Sequence, residues 1–129
     1  MKHKILIVDD DEDDQLLFVE TILTIDPFFL CDSVGNGSEA LTYLQNTNTL
    51  PSLILLDLNM PLMNGYIFLE KLKKIDDLKH IPVAIFSTSK SLQDKEITRK
   101  LGADYFFTKP GDINVLKNDL IKVLFPKNK

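Results

Sequence analysis

The sequence predicts an α/β fold, a doubly wound parallel sheet with helices on both faces, and three observations lead there. Five short apolar segments recur along 129 residues: Lys4 to Asp9, Phe29 to Ser33, Leu53 to Asp57, Val83 to Ser87 and Asp104 to Thr108. A stretch with apolar residues at helical spacing follows each of them. No linker rich in Gly, Pro or Ser and no low-complexity segment interrupts the alternation. Such regular alternation implies βαβ units with right-handed crossovers, and hence parallel strands covered on both sides. At this length the chain fits one domain, residues 1–129, with nothing left over for an effector domain.

Each element has its own justification. Ile5, Leu6, Ile7 and Val8 form the first strand and run directly into Asp9, Asp10, Asp11, Glu12, Asp13 and Asp14. Leu16, Val19, Ile22 and Leu23 then repeat at helical spacing, and Phe29 opens the second strand. Ala40, Leu41 and Leu44 mark the second helix. The third strand, Leu53 to Leu56, is closed by Asp57, and Ile67, Phe68 and Leu72 mark the helix after it. Beyond the fourth strand, Ser91 is a natural N-cap, Ile97 and Leu101 share a helix face, and Gly102 stands where that helix would stop. The fifth helix starts near Asp112, carries Ile113, Leu116, Leu120, Val123 and Leu124, and is halted by Pro126.

Composition excludes several classes. A formal charge of -4 lacks the basic footprint of a nucleic-acid binder, and Lys117, Lys122, Lys127 and Lys129 read as a solvated helix face and a frayed tail. No apolar stretch approaches the roughly 18 residues that span a bilayer. The one cysteine, Cys31, cannot form an internal disulfide and follows Phe28, Phe29 and Leu30, so it reads as core in a reduced, cytoplasmic chain.

The chemistry gathers at strand ends. In open α/β sheets the ligand site forms beyond the carboxyl ends of the strands, where strand order reverses. Here those ends carry Asp9 and Asp10, Asp57, Ser87 and Thr88, and Lys109 followed by Pro110. If the first and third strands are neighbours, about 4.8 Å apart, three carboxylates converge and repel. A hard dication with oxygen ligands resolves that repulsion, and Mg²⁺, with Mn²⁺ as an alternative, suits one or two carboxylates, retained waters and a phosphoryl oxygen. Asp10 and Asp57 are expected as direct ligands and Asp9 through water. Asp11 to Asp14 read instead as acids that favour the first turn of a helix, by roughly 0.3–1 kcal/mol each. Lys109 brings an ammonium into the acid pocket and Ser87 a hydroxyl donor, which together suit phosphoryl transfer onto the Asp57 carboxylate.

In these features the chain resembles the receiver domain of bacterial two-component response regulators, in the single-domain form of the chemotaxis regulator. The resemblance rests on ILIVDDD at Ile5 to Asp11, LLDLNMPLMNG at Leu55 to Gly65, Ser87-Thr88 and Lys109-Pro110, and covers almost the whole chain. It implies a flavodoxin-like (βα)5 fold with strand order 2-1-3-4-5. It also implies that Asp57 accepts a phosphoryl group from a kinase phosphohistidine, with Asp9, Asp10 and the Asn59 backbone carbonyl around the cation. Ser87 and Phe106 would then be switch residues that alter a surface of the fourth helix, fifth strand and fifth helix, and the Lys109-Pro110 bond would often be cis. Three positions depart from the family's habit: Thr88 where a very small residue is common, Phe106 for Tyr, and Gly111 for an apolar residue. The implied partners are a sensor histidine kinase or histidine phosphotransfer protein and a downstream target, with neither nucleic acid nor membrane.

Three functions follow from these residues. A phosphorylation-switched module could be a diffusible regulator or a relay intermediate that hands phosphate on to a histidine protein. An aspartyl-nucleophile phosphohydrolase would need a second acid-base carboxylate and a cap segment, yet Leu58, Asn59 and Met60 follow Asp57 directly. A binding module that has lost phosphorylation would not require all the acceptor-site groups.

Overall fold

The computed structural model describes residues 3–126. Its strands are Lys4–Val8 (β1), Leu30–Val34 (β2), Leu53–Leu56 (β3), Val83–Ser87 (β4) and Tyr105–Thr108 (β5). Between and after them lie helices Glu12–Ile25 (α1), Gly37–Asn46 (α2), Gly65–Leu72 (α3), Leu92–Leu101 (α4) and Ile113–Leu124 (α5). All four strand pairings are parallel, and the order is β2-β1-β3-β4-β5. Both the doubly wound architecture and the strand order thus match expectation.

Two layers of core explain why the central strands read as unbroken apolar runs. Successive strand side chains point to opposite faces. Leu6, Val8, Ile54, Leu56, Val83 and Ile85 pack on one face with Ala40 and Leu44 of α2 and Phe68, Leu69 and Leu72 of α3. Ile5, Ile7, Leu53, Leu55, Ala84 and Phe86 pack on the other with Phe18 and Ile22 of α1 and Leu116, Leu120 and Val123 of α5. A strand covered on both faces has no position for a polar residue until the chain leaves the sheet, so polar chemistry is pushed to its ends.

Each helix starts on a polar cap whose side chain accepts backbone N–H bonds: Asp11, Asn36, Asn64, Ser91 and Asp112. These caps satisfy donors that no helical carbonyl can reach. Ser91 caps α4 and Gly102, at φ 110°, ends it, both as the sequence indicates.

Several expectations need correction. In α1 the buried stripe is Phe18, Thr21 and Ile22, while Leu16 (56% exposed) and Leu23 face outward. At 3.6 residues per turn both leucines fall on the far side of the helix from Phe18 and Ile22. Ile67, Ile97 and Ile113 are likewise exposed. Cys31 is only half-buried because β2 is an edge strand with one neighbour. The Lys109-Pro110 bond is trans, and the described residues contain no cis peptide. Lys109 N–H donates to the Ser87 carbonyl (2.7 Å), which continues the β4–β5 ladder, and the long side chain reaches the acids from there. Lys127 and Lys129 lie outside the described residues.

Candidate functional site

The carboxyl edge of the sheet is assembled by register. Val8 of β1 pairs with Val34 on one side and Leu56 on the other. The ladder continues one residue further, with Asp9 N–H donating to Val34 O (3.1 Å) and Asp57 N–H to Val8 O (2.9 Å). Asp9 and Asp57 therefore leave adjacent strands side by side, at the reversal point of the winding. One oxygen from each of Asp9, Asp10 and Asp57 falls in a group within 4.8 Å of one another. Asp9 (1% exposed) and Asp57 (7%) are buried, whereas Asp10 is open to solvent.

Lys109 crosses from the end of β5 to these acids. Its Nζ donates to Asp9 Oδ2 and to Asp14 Oδ2, both at 2.9 Å, and stands 3.6 Å from Asp57 Oδ1. Burial pushes the Asp57 carboxyl up to about 6; Lys109 pulls it down, while the charges of Asp9 and Asp10 push it up again. Burial also raises Asp9 above the usual carboxylate range, against hydrogen bonds from Asp11 N–H and Lys109. Burial works against the Lys109 ammonium, but bonds to Asp14 and Asp9 outweigh it and hold the group charged above the ordinary lysine range. One ammonium does not balance the four carboxylates around it, and the pocket suits a small cation because oxygens of Asp9, Asp10 and Asp57 lie within 4.8 Å of one another.

The walls of the site are tightly built. Asp11 N–H donates to Asp9 Oδ1 (3.0 Å), and Gln15 Nε2 donates to Asp9 O (2.6 Å) and Val34 O (3.2 Å), so the start of α1 is fastened to the end of β1. Gly65 approaches the opposite wall so closely that a Cβ there would lie 2.4 Å from the Asp57 carbonyl. In the loop between β3 and α3, Leu62 adopts φ 66°, an uncommon conformation for a residue with a side chain, and is 88% exposed. Asn59 in this loop is exposed.

Ser87, with no exposed surface, accepts a bond from Ser89 N–H (3.1 Å). Ser89 Oγ donates to Asp94 Oδ2 (2.5 Å), Tyr66 OH donates to Asp94 Oδ1, and Thr108 Oγ1 donates to Ser89 O (3.1 Å). The β4–α4 loop is thus tied to α3, α4 and β5. Thr88 points to solvent. Phe106 is half-buried against the first core layer and lines a groove of about 560 Å³ between α4 and β5, together with Leu92, Thr98 and Tyr105.

The sequence-expected residues Asp9, Asp10, Asp57 and Lys109 come together, and Ser87 stands on the neighbouring strand end. Phe106 does not reach this cluster; it faces the groove. Asp14 was missed: of the four acids assigned to the helix dipole, it is the one that meets a cation among the described residues. Its place in the first turn of α1 was the available signal, but the turn's orientation depends on Asp11 being the cap. Tyr66, Ser89 and Asp94 form a polar chain with no motif to reveal it.

The sequence matches the family described as "Response regulator receiver domain" over residues 5–121. The transcriptional regulatory protein PrrA of Mycobacterium leprae is 34% identical over 107 residues, which is 83% of this chain and 43% of the relative. The chain spans less than half the length of the first curated relatives it matches, at 43–48%. Among solved structures, the phosphorylated cyanobacterial phytochrome response regulator RcpA superposes with a TM-score of 0.90 at 28% identity, over 99% of this chain and 98% of that one. The Mn²⁺-bound form of response regulator Rcp1 gives 0.85 at 27% identity, over 98% and 97%. Five strands in the order β2-β1-β3-β4-β5, an acid cluster at their carboxyl edge and a family match across nearly the whole chain lead to one conclusion: this chain belongs to the response regulator receiver domain family.

Proposed function

We propose that this chain is the phosphoacceptor of a two-component signalling system, with Asp57 as the acceptor. The observation that carries the reading is the buried Asp57 carboxylate, grouped with Asp9 and Asp10 and 3.6 Å from the Lys109 ammonium. An Asp57 oxygen forms a bond to phosphorus as the donor's bond to phosphorus breaks. The leaving electron pair stays on the donor, an imidazole nitrogen when the donor is a kinase phosphohistidine. Lys109 offsets charge on the transferring group, and the Ser87 hydroxyl donates to one of its oxygens.

The donor set suits Mg²⁺, or Mn²⁺ in its place. Asp10, Asp57 and the Asn59 backbone carbonyl would be direct ligands. Asp9 would act through water, because both its oxygens already accept bonds from Asp11 N–H and Lys109. When bound, the cation supplies positive charge against the converging carboxylates and the phosphoryl oxygens. The output is a change at the α4–β5 groove: Ser87 turning toward the phosphoryl group gives up its bond from Ser89 N–H, and Phe106 lies one strand away. The partners are a sensor histidine kinase or a histidine phosphotransfer protein, and a target protein. The chain acts as a signalling domain and not as an enzyme on an external substrate. A reduced cytoplasm is the compartment that suits a free Cys31 and a kinase partner.

The test is labelling by acetyl phosphate. Native protein with Mg²⁺ takes up at most one phosphoryl group per chain, chelation of the metal abolishes uptake, and Asp57→Asn shows none. Absence of label in native protein would overturn the proposal. Many turnovers on a small phosphate ester would favour a hydrolase.

A further inference from the structure

The geometry points to Asp14 as a positioning residue that aims the Lys109 ammonium at the phosphoryl group on Asp57. This inference rests on the phosphoacceptor reading and adds a residue to it. An ammonium has three N–H donors on a flexible four-carbon stem. Here two are committed at 2.9 Å, to Asp9 Oδ2 and Asp14 Oδ2. The remaining direction faces Asp57 Oδ1 at 3.6 Å, beyond hydrogen-bond reach. Two fixed anchors therefore leave one donor nearest the acceptor. With Asp9 as sole anchor, the ammonium would pivot about a single bond.

Three features separate this role from cation binding or a helix-dipole effect. Asp14 lies outside the group of oxygens that could share an ion, which comprises Asp9, Asp10 and Asp57. Glu12 and Asp13, its neighbours in the first turn, are exposed, whereas Asp14 is partly covered and bonded to Lys109. Its position is also fixed: Asp14 N–H donates to the Asp11 cap at 3.3 Å, and Gln15 anchors the same turn to β1 through Asp9 O and Val34 O. A carboxylate held this way orients its partner in advance, which is how a positioning group accelerates a transfer it does not touch. The contrary role, a competitor that draws lysine away from the phosphoryl group, predicts a rate change of opposite sign.

The experiment measures the phosphorylation rate against acetyl phosphate concentration, at saturating Mg²⁺, for native protein, Asp14→Ala and Asp14→Asn. Asp14→Ala should lower the maximal rate about tenfold and leave the half-saturating concentration within about twofold. Asp14→Asn keeps an oxygen acceptor of the same shape and should recover to within about threefold of native. A second readout is independent of turnover. The Lys109 ammonium proton–nitrogen resonance, assigned through Lys109→Gln, should be sharp in native protein and broadened by exchange in Asp14→Ala. Mg²⁺ affinity by calorimetry should stay within about twofold, as befits a residue that is not a ligand. A native or faster rate in Asp14→Ala, an unchanged lysine resonance, or Mg²⁺ affinity that falls in step with the rate would overturn the inference. Failure of native protein to label would instead remove the acceptor reading beneath it. Should Asp14→Ala unfold, Asp14→Leu, of similar size and without an acceptor, takes its place in all three readouts, with the same expected and overturning results.

Discussion

The bodies of β1 and β3 and their carboxyl ends obey opposite rules, although only a residue or two separates them. Ile5 to Val8 and Leu53 to Leu56 are almost wholly buried and touch hydrocarbon on both faces. Directly beyond, Asp9, Asp10 and Asp57 crowd one small region, and burial raises the two that are covered. Each apolar residue in the first region adds stability by leaving water, at roughly 25 cal/mol per Å². Burying the Asp9 and Asp57 carboxylates subtracts it, a cost that Lys109 partly offsets and a cation would offset further. Stability is thus built into the interior, and the edge holds groups kept ready for reaction.

The comparison breaks most visibly at Phe68, fully buried between α3 and the sheet. Phe68→Ala should cost about 3–5 kcal/mol in denaturant unfolding. The folded fraction should still label at Asp57, because Phe68 touches the core and not the acids. A loss of stability below about 1 kcal/mol would mean that this layer is not the main support of the fold.

Asp57→Asn should shift stability the other way. The Asp57 carboxyl stands at about 6 in the folded chain against 3.8 for an ordinary aspartate, so folding favours the protonated form. That contribution is fully present below 3.8 and is lost as pH rises through about 6. At pH 7 without divalent cation, the variant should therefore be more stable than native by about 1–3 kcal/mol. The gap should close below pH 4 and narrow when Mg²⁺ is added, because the cation stabilises native protein. An equal or lower stability of Asp57→Asn at pH 7 would show that Lys109 already relieves the repulsion.

The smallest effect sharpens the contrast. Tyr66, Ser89 and Asp94 are polar and clustered like the acids, but every member has a partner. Tyr66→Phe should destabilise by about 0.5–1.5 kcal/mol, the usual worth of one satisfied hydrogen bond. Stabilisation in this variant would place the network with the acids and not with the core.

Much of this was readable in the chain. The three central strands, β1, β3 and β4, appear in the sequence as apolar runs because strands covered on both faces tolerate little else, and all five strands fall within a residue or so of their expected places. Asp9, Asp10, Asp57 and Lys109 were legible because the residues just beyond a strand's carboxyl end border the crevice however the helices are turned. Helix faces were harder: Leu16 and Leu23 fit the spacing of α1, yet Phe18 and Ile22 are the pair that packs. The α1 start hid Asp14 in a run of six acids, which periodicity cannot sort. Even the reach of Lys109 into the site needed no cis bond.

By itself the sequence determined the alternation of strand and helix and the set of chemical groups at the strand ends. These are local facts, written in side-chain polarity and spacing. Only the tertiary structure decided which acid meets Lys109, that Asp14 shares it with Asp9, and that Tyr66 and Ser89 bond the same Asp94. Those pairings join residues up to 100 positions apart. They are set by the packing of helices on the sheet, where a rotation of one residue turns a surface acid into a partner of the site.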